Sequence, residues 1–104
     1  MDAELKSKWI AALRGGKYEQ AHTQLRDCHG KFCCLGVLCV VADIQISPDG
    51  FSALKDGRNA SYDPIRTVIG DEGDKEDYVS RLYEMNDSEG ATFDAIADWI
   101  EKNL

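Results

Sequence analysis

The sequence predicts a single α+β domain that is mostly helical, with about four helices around a central apolar helix (about 32–43) and a small β-hairpin (about 44–54). Three observations support this. The run Phe32–Ala42 is the only long uncharged stretch in a chain that is 30% charged. Helical periodicity of apolar residues occurs towards both ends of the chain. The 104 residues suffice for one hydrophobic core, so the domain is expected to span residues 1–104.

The outer helices are predicted from apolar spacing and from residues that start or stop helices. Residues 2–14 place Leu5, Trp9 and Leu13 on one face; Asp2 can cap that helix, and Gly15-Gly16 ends it. Residues 17–31 are polar and predict a loop. A further helix is expected at about 75–86, before Asn86–Gly90 breaks it. A last helix is expected after a Thr92 cap, with an apolar stripe formed by Phe93, Ile96, Ala97, Ile100 and Leu104.

The central run is predicted to be a helix, although its valines also suit a buried strand. Its eleven residues are long for one strand, and Asp43 ends it. Gly36 in the middle of a helix costs up to about 1 kcal/mol relative to alanine. That cost is acceptable if another element packs closely at this position.

The segment after the central run predicts short strands and turns. Ile44–Ile46 and Phe51–Leu54 alternate around Ser47-Pro48-Asp49-Gly50, which is typical of a type I turn, and so predict the hairpin. Residues 55–61 read as a polar loop, Pro64–Ile69 as a third short strand, and residues 70–74 as an acidic loop.

Charge narrows the classes of partner. The net charge is −7, so phosphate backbones repel the chain and direct nucleic-acid binding is not expected. A negatively charged protein is instead attracted to a basic protein surface. The uncharged run is about half of the ~20 residues that span a bilayer, and the N-terminus is charged and amphipathic, so we expect a cytosolic protein that does not bind membranes.

The cysteines present the strongest chemical alternative. Five potential zinc ligands lie in one short segment: Cys28, His29, Cys33, Cys34 and Cys39. Structural zinc sites use pairs of closely spaced ligands, whereas here Cys33 and Cys34 are adjacent and no C-x-x-C occurs. Core packing of the thiols is therefore favoured over a zinc or small-ligand module. Cys33, near a helix start, and Cys28 are the two candidates for a reactive thiol.

No catalytic or cofactor motif is present: the sequence has no P-loop, no G-x-G-x-x-G, no G-x-S-x-G and no H-E-x-x-H. His22 and His29 lie in the predicted loop and are interpreted as surface histidines. We therefore expect a protein that is not an enzyme and needs no cofactor.

Three stretches of the chain resemble a group of small phage and prophage proteins. The stretches are Lys8–Gln20, similar to K-x-W-x-x-A-L-R-S-G-x-Y-x-Q; Phe32–Cys39, which reads F-C-C-L-G-V-L-C; and Leu82–Asp87 with Phe93–Asp98. The sequence departs from the group at Gly15 and at Ala21-His22. The resemblance implies a phage origin and a bacterial host cytosol. Phage-encoded acidic single domains without catalytic motifs often act by binding a host protein, and inhibitors of anti-phage defence, including anti-CRISPR proteins, are the most visible class of these by analogy.

These observations predict a protein that binds and inhibits a bacterial host factor. The residues expected to contact the partner are polar ones that core packing does not explain: Arg14, Tyr18, Gln20, Asn86 and Asp87. The alternative for Asn86-Asp87 is a purely local role in capping and turning the chain. A second copy of the chain, giving a homodimer, is the alternative partner.

Overall fold

The computed structural model describes residues 1–55, 59–70 and 77–104. In chain order its elements are α1 (Ala3–Arg14), α2 (Cys34–Val41), β1 (Ala53–Lys55), β2 (Asn59–Ser61), α3 (Asp63–Ile69), α4 (Tyr78–Tyr83), a π-helical turn (Glu84–Ser88) and α5 (Phe93–Asn103). The predicted mostly helical α+β class is confirmed. The acidic loop expected at 70–74 and the helix start expected at 75 lie almost entirely outside the described residues.

The apolar α2 lies at the centre of the core. It packs against α1, α3 and α4, and α1 also packs along α5. Six of its eight residues are buried, and Leu35, Val37 and Leu38 have no exposed surface. Trp9 of α1, also fully buried, donates its indole N–H to the carbonyl oxygen of Cys34 at 2.9 Å. This bond fixes α1 to the start of α2.

The helices α1 and α5 each begin at the predicted N-terminal cap. The carboxylate of Asp2 accepts a hydrogen bond from the Leu5 N–H at 2.8 Å, and the Thr92 hydroxyl accepts one from the Ala95 N–H at 3.2 Å. The apolar stripe of α5 buries Phe93, Ile96, Ala97 and Ile100. These helices form where capping groups meet an amphipathic stripe that α2 and its neighbours can cover.

Gly36 of α2 meets another element directly, as the sequence required. A β-carbon at Gly36 would lie 1.9 Å from the carbonyl oxygen of Leu25, in the loop that crosses the start of α2. The same carbonyl oxygen accepts a hydrogen bond from the Cys33 N–H at 3.3 Å. Only glycine allows the loop and α2 to approach this closely.

The sheet is displaced from the predicted hairpin. The turn at Ser47–Gly50 is present, with the Gly50 N–H donating to the Ser47 carbonyl at 2.9 Å, but only one antiparallel bridge, Ile46 to Ala53, follows it. The two-stranded antiparallel sheet instead pairs β1 with β2, with Leu54 opposite Ala60. The prediction of a polar loop over 55–61 was therefore wrong at residue 55, which ends β1, and at residues 59–61, which form β2. Residues 56–58 lie outside the described part of the chain.

The third strand predicted at Pro64–Ile69 was wrong, because this segment is the helix α3. Pro64 occupies the first turn, where its missing N–H removes no helical hydrogen bond. Ile65 and Ile69, four residues apart, are both buried. Gly70, with φ of 81°, ends the helix and donates its N–H to the Arg66 carbonyl at 3.0 Å.

Candidate functional site

The π-helical turn after α4 directs Asn86 into the protein, where the sequence had predicted a helix break. Its wider hydrogen-bonding pattern is seen in the Glu89 N–H, which donates to the Glu84 carbonyl at 2.8 Å. Asn86 has no exposed surface. Single π turns occur frequently at functional sites, and the residues that this one brings together form the candidate site.

Asn86 uses its whole side-chain hydrogen-bonding capacity to join three segments. Its Nδ2 donates to the Ala21 carbonyl at 2.8 Å and to Asp87 Oδ1 at 2.7 Å. Its Oδ1 accepts from Gln20 Nε2 at 2.9 Å and from the Cys34 N–H at 3.2 Å. An amide side chain has two donor hydrogens and two acceptor lone pairs, and all four are used. We call residues 20–23 together with Asn86 and Asp87 the polar junction.

The outer layer of the polar junction is formed by His22 and Thr23, both exposed. His22 Nδ1 lies 2.8 Å from the carbonyl oxygen of Asn86. Because a carbonyl oxygen only accepts, Nδ1 carries the proton, and Nε2 is the ring atom that remains for other contacts. The Thr23 N–H donates to Asp87 Oδ1 at 3.0 Å.

The backbone of Thr23 is strained. Its φ is 70°, in the left-handed region, which is unusual for a β-branched residue. A residue held there costs about 1–3 kcal/mol and persists only when its surroundings determine the conformation. The hydrogen bond to Asp87 and that of the Thr23 hydroxyl to the His22 carbonyl at 2.5 Å supply that constraint.

The structure brings together three of the five residues predicted to contact a partner. Gln20 and Asp87, both half-buried, and the buried Asn86 form the polar junction. The side chain of Asn86 bonds to Gln20, Ala21 and Cys34, more than fifty positions away, so its role is not the purely local capping and turning considered as the alternative. His22 and Thr23 were not predicted, because nothing in the local sequence signals the left-handed conformation of a threonine or a contact across more than sixty residues.

The other two predicted residues lie elsewhere. Arg14, at the end of α1, pairs with Asp98 at 2.6 Å and with Glu101 at 3.3 Å, both on α5. The bond to Asp98 is the main reason that the pKa of Arg14 is raised. Tyr18 packs edge-on against Phe32, with 5.6 Å between ring centroids.

The cysteines of α2 and its cap are buried and protonated. Burial raises the pKa of the Cys33 and Cys39 thiols to about 12, and that of Cys34 well above its ordinary value. Cys33 caps α2 through its sulfur, which accepts from the Gly36 N–H at 3.4 Å. Cys28 is exposed. Within residues 1–55, 59–70 and 77–104, no group of three or more His, Cys, Asp or Glu side chains is arranged to hold a metal ion.

Two surface cavities flank α5. A groove of about 520 Å³ lies between α1 and α5 and is lined by Ile10, Ala11 and Arg14 among others. A pocket of about 280 Å³ lies between α4 and α5 and is lined by Asp77, Tyr78, Arg81, Trp99 and Asn103.

No helix in the described part of the chain is long and apolar enough to cross a membrane.

Comparison with known proteins yields one relationship. A family model with the description "Domain of unknown function (DUF8296)" matches residues 1–52, which is half of the chain. No curated protein and no solved structure matches. The matched half contains α1, the loop of the polar junction and α2, whereas Asn86 and Asp87 lie beyond it.

Proposed function

The chain belongs to the family described as Domain of unknown function (DUF8296), and we propose that it is a phage-encoded acidic protein that binds and inhibits a bacterial host factor. The target we propose is a component of anti-phage defence, met in the bacterial cytosol. The observation that carries the proposal is the polar junction, in which a strained exposed backbone is held in one conformation by a fully hydrogen-bonded buried residue.

A surface held in this way suits protein recognition. Ordering side chains and loops on association reduces affinity, and a surface that is already ordered avoids most of that loss. In the polar junction, Asn86 holds the loop carbonyl of Ala21 while Asp87 holds the Thr23 N–H. Two exposed side chains are thereby held at the surface, those of His22 and Thr23. Nδ1 of His22 is bonded to the Asn86 carbonyl, which leaves its Nε2 for a partner.

The charge of the protein indicates the kind of partner. The net charge of −7 favours association with a basic surface and accelerates it at low salt. Two arginines, the exposed Arg14 and the half-buried Arg81, are each paired with two carboxylates. Arg14 pairs with Asp98 and Glu101, and Arg81 pairs with Glu84 and Glu89. These arginines therefore do not offset the negative surface towards a partner.

The phage origin rests on the resemblance of the three sequence stretches described above, of which F-C-C-L-G-V-L-C at 32–39 is the most specific. The defence target rests on analogy with other phage-encoded acidic domains that lack catalytic motifs. Inhibition by occupancy needs no chemistry from the inhibitor. This agrees with thiols that are buried and protonated rather than activated.

The experiment combines partner capture with a phage challenge. Tagged protein is used to capture partners from bacterial lysates, and bacterial strains that carry different defence systems are challenged with phage while expressing it. We expect one specific partner, captured less strongly as salt rises, and loss of restriction in a strain that contains that partner. The double variant His22→Ala/Thr23→Gly alters the exposed part of the polar junction and should weaken capture about tenfold or more.

The matched control is Lys8→Ala, an exposed change on α1 outside the polar junction. It should retain capture and restriction loss. The proposal is rejected if no partner and no phenotype appear in any strain. It is equally rejected if the double variant, folded by circular dichroism, behaves as the unaltered protein does.

A further inference from the structure

We infer that the pocket between α4 and α5 receives an arginine or lysine side chain of the protein partner. This rests on the proposed function and names the chemistry of the partner. The pocket volume of about 280 Å³ is near the lower end of the ~300–1,000 Å³ of ligand sites, which suits one side chain rather than a helix. Its lining combines two aromatic rings with a carboxylate and an amide.

The aromatic wall is formed by Tyr78 of α4 and Trp99 of α5. Their ring centroids are 6.2 Å apart and their planes meet at 66°, an edge-to-face pair that holds the half-buried indole in place. Guanidinium and ammonium groups are attracted to indole faces, tryptophan being the best of the aromatic residues for this contact. The wall therefore favours a cation with an apolar stem.

The polar side of the pocket supplies hydrogen-bond acceptors. Asn103 Nδ2 donates to the Trp99 carbonyl at 2.8 Å, and Asn103 Oδ1 has no hydrogen-bond donor within the described residues. Asp77 accepts from the N–H and hydroxyl of Ser80 and from Arg66. The Ser80 bonds are the main reason that the pKa of Asp77 is lowered to about 2, so its carboxylate is ionised at neutral pH.

Arg81 also lines the pocket but does not oppose a cation. Its guanidinium pairs with Glu89 and with Glu84. Among the residues that the structure describes, the charged groups of the pocket lining and their ion-pair partners are three carboxylates, Asp77, Glu84 and Glu89, and two guanidinium groups, Arg66 and Arg81. The excess carboxylate complements one positive charge, which the partner would bring.

The test uses the ¹⁵N-labelled protein and two small probes that differ in charge. N-acetyl-arginine amide carries the guanidinium, and N-acetyl-citrulline amide is its neutral analogue of nearly the same shape. We expect the arginine probe to shift the Trp99 indole and Asn103 amide signals in a saturable way, at least about tenfold more tightly than citrulline. The Trp9 indole, buried and bonded to the Cys34 carbonyl, is the internal control and should not move.

Two variants connect the pocket to the partner. Trp99→Leu removes the aromatic wall, and Asn103→Leu, at an exposed position, removes the free acceptor with little risk to folding. Each should weaken binding of the captured partner about tenfold, as expected for loss of an interface anchor. Lys102→Ala, an exposed neighbour that does not line the pocket, should leave it unchanged. An unchanged Trp9 indole signal verifies that each variant is folded.

The outcomes separate this inference from the proposed function. If both probes bind equally or neither binds, the inference is overturned. The inference is also overturned if the partner binds both pocket variants as tightly as the unaltered protein. In that case, loss of partner binding by His22→Ala/Thr23→Gly would still support the proposed function. If arginine binds selectively and no partner is captured, the cation pocket stands and the proposed function fails.

Discussion

At the scale of single residues, Asn86 contributes most to the arrangement of the candidate site. It is wholly buried, and its four side-chain hydrogen bonds reach the loop at Gln20–Ala21, the N–H of Cys34 and the adjacent Asp87. A buried polar side chain is stable only when its donors and acceptors are satisfied. Here that requirement determines where the loop must lie, and so places His22 and Thr23 at the surface.

We predict that Asn86→Ala destabilises the protein by about 3–5 kcal/mol. The Cys34 N–H and the Ala21 carbonyl would be left buried without their partners, at about 1–3 kcal/mol each. The measurement is urea-induced unfolding followed by circular dichroism. Asn103→Ala, which removes the same amide from an exposed position, should change the free energy of unfolding by about 0.5 kcal/mol or less. Equal effects of the two variants would contradict a central role for Asn86.

At the scale of elements, the contact between α2 and the loop that crosses it explains a residue that appears unfavourable locally. Gly36 lies in the first turn of α2, where helix propensity alone favours alanine by up to about 1 kcal/mol. The Leu25 carbonyl occupies the position that a side chain would need. The elements are therefore held together by an approach of backbone to backbone, and the loop carries the polar junction with it.

We predict that Gly36→Ala destabilises the protein by at least about 2 kcal/mol, opposite in sign to its effect in an isolated helix. A β-carbon 1.9 Å from the Leu25 carbonyl oxygen would force the loop away from α2, and overpacking of this kind costs about 1–3 kcal/mol or more. Thermal unfolding monitored by circular dichroism compares the stability of Gly36→Ala with that of the unaltered protein.

Gly16→Ala is the control for this prediction. Its φ of 75° makes the substitution strained, but nothing lies within 4 Å of the added carbon. The expected destabilisation is about 1–2 kcal/mol from backbone strain alone. A neutral or stabilising Gly36→Ala would show that the loop does not press on α2.

At the scale of the whole molecule, the two halves of the chain depend on each other. The family model covers residues 1–52, which include α1 and α2. Yet α1 packs most extensively along α5, and Asn86 completes the loop between α1 and α2 from the second half. The first half therefore lacks the partners that bury its apolar faces and satisfy its loop.

We predict that a fragment of residues 1–52 does not fold by itself. Without α5, α1 would lose the helix against which it packs most extensively, and part of its apolar face would meet water. A chain this short also buries too small a share of its surface to be stable without a further partner. The fragment should show a disordered circular dichroism spectrum and narrow amide dispersion, both reversed on mixing with residues 53–104. Cooperative thermal unfolding of the fragment alone would contradict this.

We also predict a stability plateau between about pH 4 and pH 9. Above the ordinary thiol pKa of 9.0, thiols in the unfolded chain ionise while Cys33 and Cys39, with pKa values raised by burial to about 12, stay protonated in the fold. The fold binds more protons, so stability falls as pH rises from 9 towards 12. Each such thiol contributes a slope of up to about 1.4 kcal/mol per pH unit.

At acid pH the stability changes in the opposite direction with pH, because carboxylates titrate there. Hydrogen bonds to Ser80 lower the pKa of Asp77 to about 2, and bonds to the Ser47 hydroxyl and Phe51 N–H lower that of Asp49. The unfolded chain therefore binds more protons below pH 4, and stability falls as pH decreases towards 2. Urea unfolding measured from pH 2 to pH 11 tests both limits. A Cys39→Ala variant should flatten the alkaline side, and an unchanged slope would contradict the assignment to buried thiols.

The sequence by itself determined the elements whose signals are local. The caps of Asp2 and Thr92, the uncharged run that became α2 and the need for a close neighbour at Gly36 could each be read from a few adjacent residues. The secondary structure of short segments was harder to predict. Pro64–Ile69 suits either a strand or a first-turn proline with apolar residues four apart, and burial of Ile65 and Ile69 decided for the helix.

Only the tertiary structure decided how the candidate site is built. Gln20, Asn86 and Asp87 could be singled out as polar residues without a packing role, but their meeting depends on a π-helical turn and a left-handed threonine. Neither has a signal in the local sequence, because both are unfavourable conformations that persist only through bonds between residues more than sixty positions apart. The pocket beside Trp99 likewise exists only once α4 and α5 are packed together.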